Sequence, residues 1–136
     1  AMLGGVGGHA GVFSNTTDLA SIMQLFLNHG EYAGQKLFTE KLIKDYTRKQ
    51  YDKNRRGAGF DRPREKGGGT CDVLASQSSF GHSGFTGALA WADPKYDIIF
   101  IFLSNRVHPD QDNWKIRDMN IRTDIQHLVY QALGAE

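Results

Sequence analysis

Cysteine is almost absent from this chain. Cys71 stands alone among 136 residues, so no internal disulfide can staple the fold. Long apolar runs are missing too. The longest, Ile98 to Leu103, falls far short of the ~20 residues a membrane-spanning helix needs and suits a buried strand. Charge of one sign is also lacking: sixteen Lys and Arg against fifteen Asp and Glu leave a formal net charge of +1. That balance argues against a nucleic-acid or polyanion surface, and the local basic runs Arg55-Arg56 and Arg62 to Lys66 read as solvated loop. The five histidines and Cys71 form no metal-spaced cluster, so neither a metal nor a cofactor is expected. No secretory signal opens the chain, and Ala1 before Met2 reads as a cloning remnant or a start.

What is present is glycine, sixteen in all, gathered into a few stretches. Gly4 to Gly11 is loop by composition. Gly5-Val6-Gly7-Gly8-His9-Ala10 formally fits a dinucleotide fingerprint, but no strand precedes it and the match is accidental. His9 reads as a loop-packing histidine. Ser14 or Thr16 can cap a helix with Asp18 in its first turn. Leu19, Ile22, Met23, Phe26 and Leu27 form its apolar stripe, and Gly30 ends it. Thr39 can cap a second helix carrying Leu42, Ile43 and Tyr46 on one face. From Gln50 to Ser79 the chain is polar and reads as a long surface loop with one short strand, Ala58 to Asp61. Loops of this length are usually functional or mobile.

Gly87 to Ala92 and Ile98 to Leu103 read as two strands joined by the turn Asp93-Pro94-Lys95-Tyr96-Asp97. The second, apolar throughout, is expected to be buried on both faces. The last helix presents Ile121, Ile125, Leu128, Ala132 and Leu133 on one side, with Gly134 as its stop. His127 beside that stripe reads as a solvated or partly buried structural histidine.

The stretch that organises the chain is Phe80-Gly81-His82-Ser83-Gly84-Phe85-Thr86-Gly87, where glycines let the backbone approach a ligand beside a His-Ser pair. One reading is a nucleophile elbow, Gly-x-Ser-x-Gly, with Ser83 as nucleophile. Phe85 breaks the spelling, and neither the buried strand before Ser83 nor the helix after it is visible. The second reading is a resemblance. His82-Ser83-Gly84, followed by a strand ending in Asp93-Pro94, resembles the third motif of the penicillin-recognising serine hydrolases, the β-lactamase-related and penicillin-binding-protein-like family. Gly7-Gly8-His9-Ala10-Gly11-Val12-Phe13-Ser14 with Asp18-Leu19-Ala20, and Leu103-Ser104-Asn105-Arg106-Val107-His108-Pro109, resemble further parts of it.

The resemblance implies an α+β fold, an antiparallel sheet flanked by helices, with residues 1–136 as a single C-terminal segment lacking the N-terminal part of the domain. It implies that His82 stands in for the motif lysine, orienting a proton relay or, when charged, meeting a substrate carboxylate. Imidazole changes charge near neutral pH. It further implies that Ser83 and Gly84 line the substrate and that the Phe85 backbone N–H forms half of an oxyanion hole. The family's nucleophile lies in Ser-x-x-Lys. None of serines 14, 21, 76, 78, 79, 83 and 104 has a lysine three residues on, and no Tyr-x-Asn is present. The expectation is therefore a serine-hydrolase portion, esterase or D-peptidase in type, that is inactive alone and acts on a small-molecule or peptidoglycan-like substrate. A non-catalytic binding module, or part of a fusion with a β-N-acetylhexosaminidase, is the alternative. A periplasmic or cell-envelope location follows if the parent is bacterial and carries a signal peptide. An exposed sheet edge is expected to promote self-association.

Overall fold

The computed structural model describes Gly4, Gly5, Gly7 and residues 11–135. His9 and the rest of the fingerprint-like stretch lie outside the described residues. Helix α1, Thr16–Leu27, is capped by Asn15, whose side chain accepts the Asp18 N–H, rather than by Ser14 or Thr16. Its exit is a Schellman-type turn. His29 takes the positive φ of 54° and Gly30, one residue later, donates its N–H to Leu25 O at 2.8 Å. A short hairpin follows, β1 (Glu31–Tyr32) and β2 (Gln35–Lys36), turned by Ala33-Gly34 with positive φ at both residues. Thr39 caps α2, Glu40–Thr47, by accepting the Leu42 N–H.

The main sheet has three antiparallel strands in the order β3-β4-β5: Phe80–Ser83, Leu89–Asp93 and Ile98–Phe102. It is flanked by helices, as the fold class requires. Alternation along β4 separates two apolar layers. Leu89 and Trp91 face Tyr130 of α4 (Ile121–Ala132) together with Cys71 and Ala75. Ala90 and Ala92 face Met23 and Leu27 of α1, with Phe80 beside them. The small alanines let α1 lie close to the sheet, while the fully buried Trp91 fills the other side. Truncating a buried tryptophan to alanine typically costs about 3–5 kcal/mol. A short helix, α3 (Lys115–Asp118), precedes α4.

Six expectations are corrected. The strand before Ser83 exists: Phe80 and Gly81 are its buried half, hidden in the sequence because only four residues pair. Ala58 to Asp61 is no strand, only a single bridge from Asp61 to Gly81. The 50–79 segment is no surface loop throughout, since Asp61, Cys71, Asp72, Ala75 and Ser79 are buried. Helix α4 is rotated from its apolar stripe: Ile125, Leu128 and Leu133 are exposed, while Gln126 and Tyr130 are buried. Polar bonds set that rotation. The Tyr130 hydroxyl donates to Asp93 at 2.8 Å, Gln126 Oε1 accepts the Asp72 N–H at 2.8 Å, and Arg122 donates to Gly87 O at 2.9 Å. The residues of β5 are only partly buried, because β5 is an edge of the sheet among the described residues and lacks a neighbour on one side. In α1, Ile22 is exposed and Leu25 is buried in its stead.

Burial pushes the Cys71 thiol up to about 12, so the native chain presents almost no thiolate at neutral pH. Iodoacetamide at pH 8 is expected to leave Cys71 unmodified in the folded chain and to alkylate it fully in denaturant. Rapid native alkylation, read by intact mass, would contradict the packing described for Cys71.

Candidate functional site

The His-Ser-Gly stretch sits where β3 ends and the hairpin to β4 begins. Gly81 makes the strand possible there: an added Cβ would lie on the Ala90 carbonyl and 2.7 Å from Trp91 Cα. Gly81 exchanges both backbone hydrogen bonds with Asp61, its N–H reaching Asp61 O at 3.1 Å and its carbonyl accepting the Asp61 N–H at 2.7 Å. The N–H and C=O of Gly81 therefore point away from β4. By the strand's alternation, those of Ser83 point the same way, whereas Gly84, one residue on, turns inward and donates to Ala88 O at 2.8 Å. Among the described residues neither the Ser83 N–H nor the Phe85 N–H has an acceptor. Beyond the Asp61 bridge, two donors are thus without an acceptor among the described residues, the Ser83 N–H on the outer edge of β3 and the Phe85 N–H in the turn that follows.

The exposed His82 ring folds over this edge. Its Nδ1 lies 2.8 Å from Ser83 O and its Nε2 lies 3.3 Å from Arg56 Nη1. A carbonyl can only accept and a guanidinium can only donate, so both contacts are satisfied by the tautomer with hydrogen on Nδ1. Arg56 is fixed in turn by Asp61. This buried carboxylate is ion-paired with Arg56 and with Arg55, the latter at 3.1 Å, and accepts the Thr70 hydroxyl at 2.6 Å. Burial by itself would raise the Asp61 carboxyl. The Thr70 hydroxyl and the two guanidiniums outweigh it and hold the carboxyl below the usual carboxylate range.

Phe85 is placed by Arg106. Arg106 Nε donates to Phe85 O at 2.8 Å and the Arg106 N–H donates to Thr86 O at 2.8 Å. The guanidinium lies over the Trp114 ring at 3.6 Å and the Phe85 ring at 4.5 Å. These contacts hold the Phe85–Thr86 peptide, while the Phe85 N–H, on the preceding peptide, has no acceptor among the described residues. Behind the turn, a Cβ on Gly87, whose φ is 99°, would lie 3.1 Å from Ile116.

The structure therefore brings His82, Ser83, Gly84 and Phe85 together at one strand end, followed by a turn and not a helix. That turn removes the nucleophile-elbow reading of Ser83. Sequence reasoning missed Arg56, Asp61, Arg106 and Trp114. Arg55-Arg56 was visible as a basic pair, but its partner is reached only through folding. His127 is partly buried and pairs with Asp72 at 3.1 Å. Among the described residues no group of three His, Cys, Asp or Glu is placed to hold a metal, and no helix is long and apolar enough to cross a membrane.

The family model described as Beta-lactamase matches residues 1–120. A protein of Salmonella paratyphi B named "Putative D-alanyl-D-alanine carboxypeptidase" is 40% identical over 118 residues, covering 84% of this chain and 27% of that protein. The same name and identity recur in Salmonella newport. The chain thus spans about a quarter of the length of these relatives. Among solved structures, a β-lactamase from Mycobacterium bovis superposes with a TM-score of 0.67 at 22% identity, over 88% of this chain and 44% of that one. A penicillin-binding protein homologue from Caulobacter crescentus gives 0.51 at 28% identity, over 64% of this chain and 24% of its own.

Because the Asp61 carboxyl is held low in the folded chain, its contribution to stability is complete above the ordinary carboxylate value of about 4. It is lost as the pH falls from there through the lower folded value. Asp61→Asn is expected to cost about 2 kcal/mol at pH 7, less than the ~3–5 of a fully buried pair because Arg56 is half exposed. It should also flatten the fall of melting temperature below pH 5. An unchanged acid profile would show that Asp61 is not the anchor.

Proposed function

The chain belongs to the β-lactamase family, and from that premise we propose that residues 80–86 form the substrate-side wall of a serine hydrolase acting by acyl transfer. The observation that carries this reading is a pair of N–H donors without an acceptor among the described residues, Ser83 on the outer edge of β3 and Phe85 in the turn after it, beside the His82 ring. An extended peptide adds to such an edge by backbone hydrogen bonds. Its scissile carbonyl then lies at the Phe85 N–H, one half of an oxyanion hole, and a single such donor is worth a factor of ~10²–10³ in rate. When a serine Oγ attacks that carbonyl carbon, the negative charge moves onto the oxygen facing this N–H, and the leaving amine or alcohol takes the serine's proton through the relay. None of the seven serines here has a lysine three residues on, so the attacking serine comes from residues outside these 136 and the chain alone is inactive.

The similarity to proteins named as D-alanyl-D-alanine carboxypeptidases makes a peptide ending in D-amino acids the preferred substrate class. The terminal carboxylate of such a peptide needs a cation, which a lysine provides where the motif reads Lys-Thr-Gly. Here His82 is satisfied in a neutral tautomer, and Arg56, 3.3 Å from His82 Nε2, supplies the positive charge. Ser83 and Gly84 flank it.

Two readouts test this together. An acyl peptide ending in two D-alanines is expected to shift the amide resonances of Ser83 and Phe85, and Arg56→Gln should weaken that binding about tenfold, ~1.4 kcal/mol. A fluorophosphonate probe is expected to leave the intact mass unchanged. A stoichiometric adduct on Ser83, or peptide shifts that avoid β3, would overturn the proposal.

The other sheet edge bears on partners. Strand β5 reads Ile-Ile-Phe-Ile-Phe, with no charge or proline to blunt it, and such edges recruit another strand. We infer that the isolated chain self-associates through β5. Sedimentation is expected to show a concentration-dependent dimer that Ile101→Lys returns to monomer with its circular dichroism retained. A monomer at all concentrations would refute it.

A further inference from the structure

The two basic runs, separate in the sequence, meet in space. Lys49, residues 52–55 and residues 62–67, with Gln77, line an open cavity of about 790 Å³ that carries six Lys or Arg side chains and only two carboxylates, Asp52 and Glu65. We propose that this cavity is a binding site for a small polyanion carrying two or more phosphate or carboxylate groups. This assignment is independent of the acyl-transfer reading.

Two of its cations form a fixed wall. Arg62 is half-buried and donates from Nη1 to Thr47 O at 2.5 Å and from Nη2 to Gln77 O. Both partners are neutral carbonyls, and among the described residues no carboxylate pairs with it, although charges withdrawn from water are ordinarily paired. Arg55 donates to Arg62 O at 3.0 Å and to the Thr70 hydroxyl at 3.3 Å, and it shares the single Asp61 carboxylate with Arg56. One carboxylate between two guanidiniums leaves a positive excess. Around this wall stand Lys53, Arg64 and Lys66, exposed and without an ion pair among the described residues. Of the two lining carboxylates, Glu65 reaches Lys49 only at 3.7 Å, and Asp52 pairs with nothing among the described residues.

Size and chemistry select the ligand. A cavity of several hundred Å³ holds a small organic molecule rather than one ion. A wall of guanidiniums in fixed orientations matches the planar or tetrahedral oxygens of carboxylate and phosphate. The net charge of +1 conceals this site, because the compensating acids lie elsewhere in the chain.

Titration calorimetry of the whole chain with inorganic pyrophosphate, and separately with citrate, in low-salt buffer tests the proposal. Binding of at least one is expected, and the tighter arm tells phosphate from carboxylate. The triple variant Lys53→Gln, Arg64→Gln, Lys66→Gln should bind at least tenfold more weakly. The charge-matched control Lys36→Gln, Lys41→Gln, Lys95→Gln, whose positions lie outside the cavity, should stay within twofold of the parent. In the unmodified chain, amide shifts on titration should centre on residues 52–55 and 62–67. No binding of either probe at millimolar concentration, equal loss in both triple variants, or shifts centred elsewhere would each overturn it.

Discussion

The candidate site depends on one buried carboxylate. Asp61 is nearly inaccessible and its backbone is spliced onto the edge of β3, while its side chain faces two guanidiniums and a hydroxyl. Desolvation opposes this arrangement and the surrounding donors outweigh it. One residue thereby fixes where β3 ceases to be available, where Arg56 lies against His82, and how Arg55 is turned toward the basic cavity. Removing a partner from such a cluster costs more than the cluster contributes, since the remaining charges stay partly withdrawn from water.

A second buried carboxylate solves the same problem by different means. Asp93, at the end of β4, makes no ion pair among the described residues. Its two oxygens take the Ser76 N–H, the Ser76 hydroxyl, the Lys95 N–H and the Tyr130 hydroxyl, at 2.5 to 3.0 Å. Four neutral donors saturate the lone pairs that water would otherwise fill. The result ties the 70s loop and α4 to the sheet, and burial with Asp93 alongside pushes the Tyr130 phenol far up. The two carboxylates divide the labour: Asp93 holds the layers together, and Asp61 arranges charge at the edge.

Much of this was legible beforehand, and the failures have physical causes. The caps and turns set by a local residue, the Thr39 side chain at α2 and the positive φ of Gly134 after α4, could be read directly. The two apolar strands announced themselves within a residue or two. Strand β3 did not, because Gly81 and Ser83 give it no apolar pattern. Its place is set by Trp91 packing where a Cβ would collide. The apolar stripe of α4 misled because burial of that helix follows three polar anchors, Arg122, Gln126 and Tyr130, whose partners are 35, 54 and 37 residues away in sequence. The His-Ser-Gly residues were found as a motif, whereas Arg56 and Arg106 act through the folded geometry and have no local signature.

The alternation of β3 links these findings. A strand offers its outward N–H and C=O groups at every second residue, so the outer edge here consists of Gly81 and Ser83, with Phe85 following in the turn. Asp61 consumes the first position completely. If the protein paired the next position in the same way, the strand would be closed and the His-Ser-Gly end would be ordinary hairpin. Instead His82 bends back to occupy only the Ser83 carbonyl, and Arg106 holds the Phe85 carbonyl, one peptide beyond the Phe85 N–H. Both acceptors, Ser83 O and Phe85 O, are therefore satisfied internally while both donors stay open among the described residues. An edge with its carbonyls filled and its N–H groups free has one electrostatic preference, for an acceptor that carries or develops negative charge, and that asymmetry is what distinguishes this strand end from an unpaired edge.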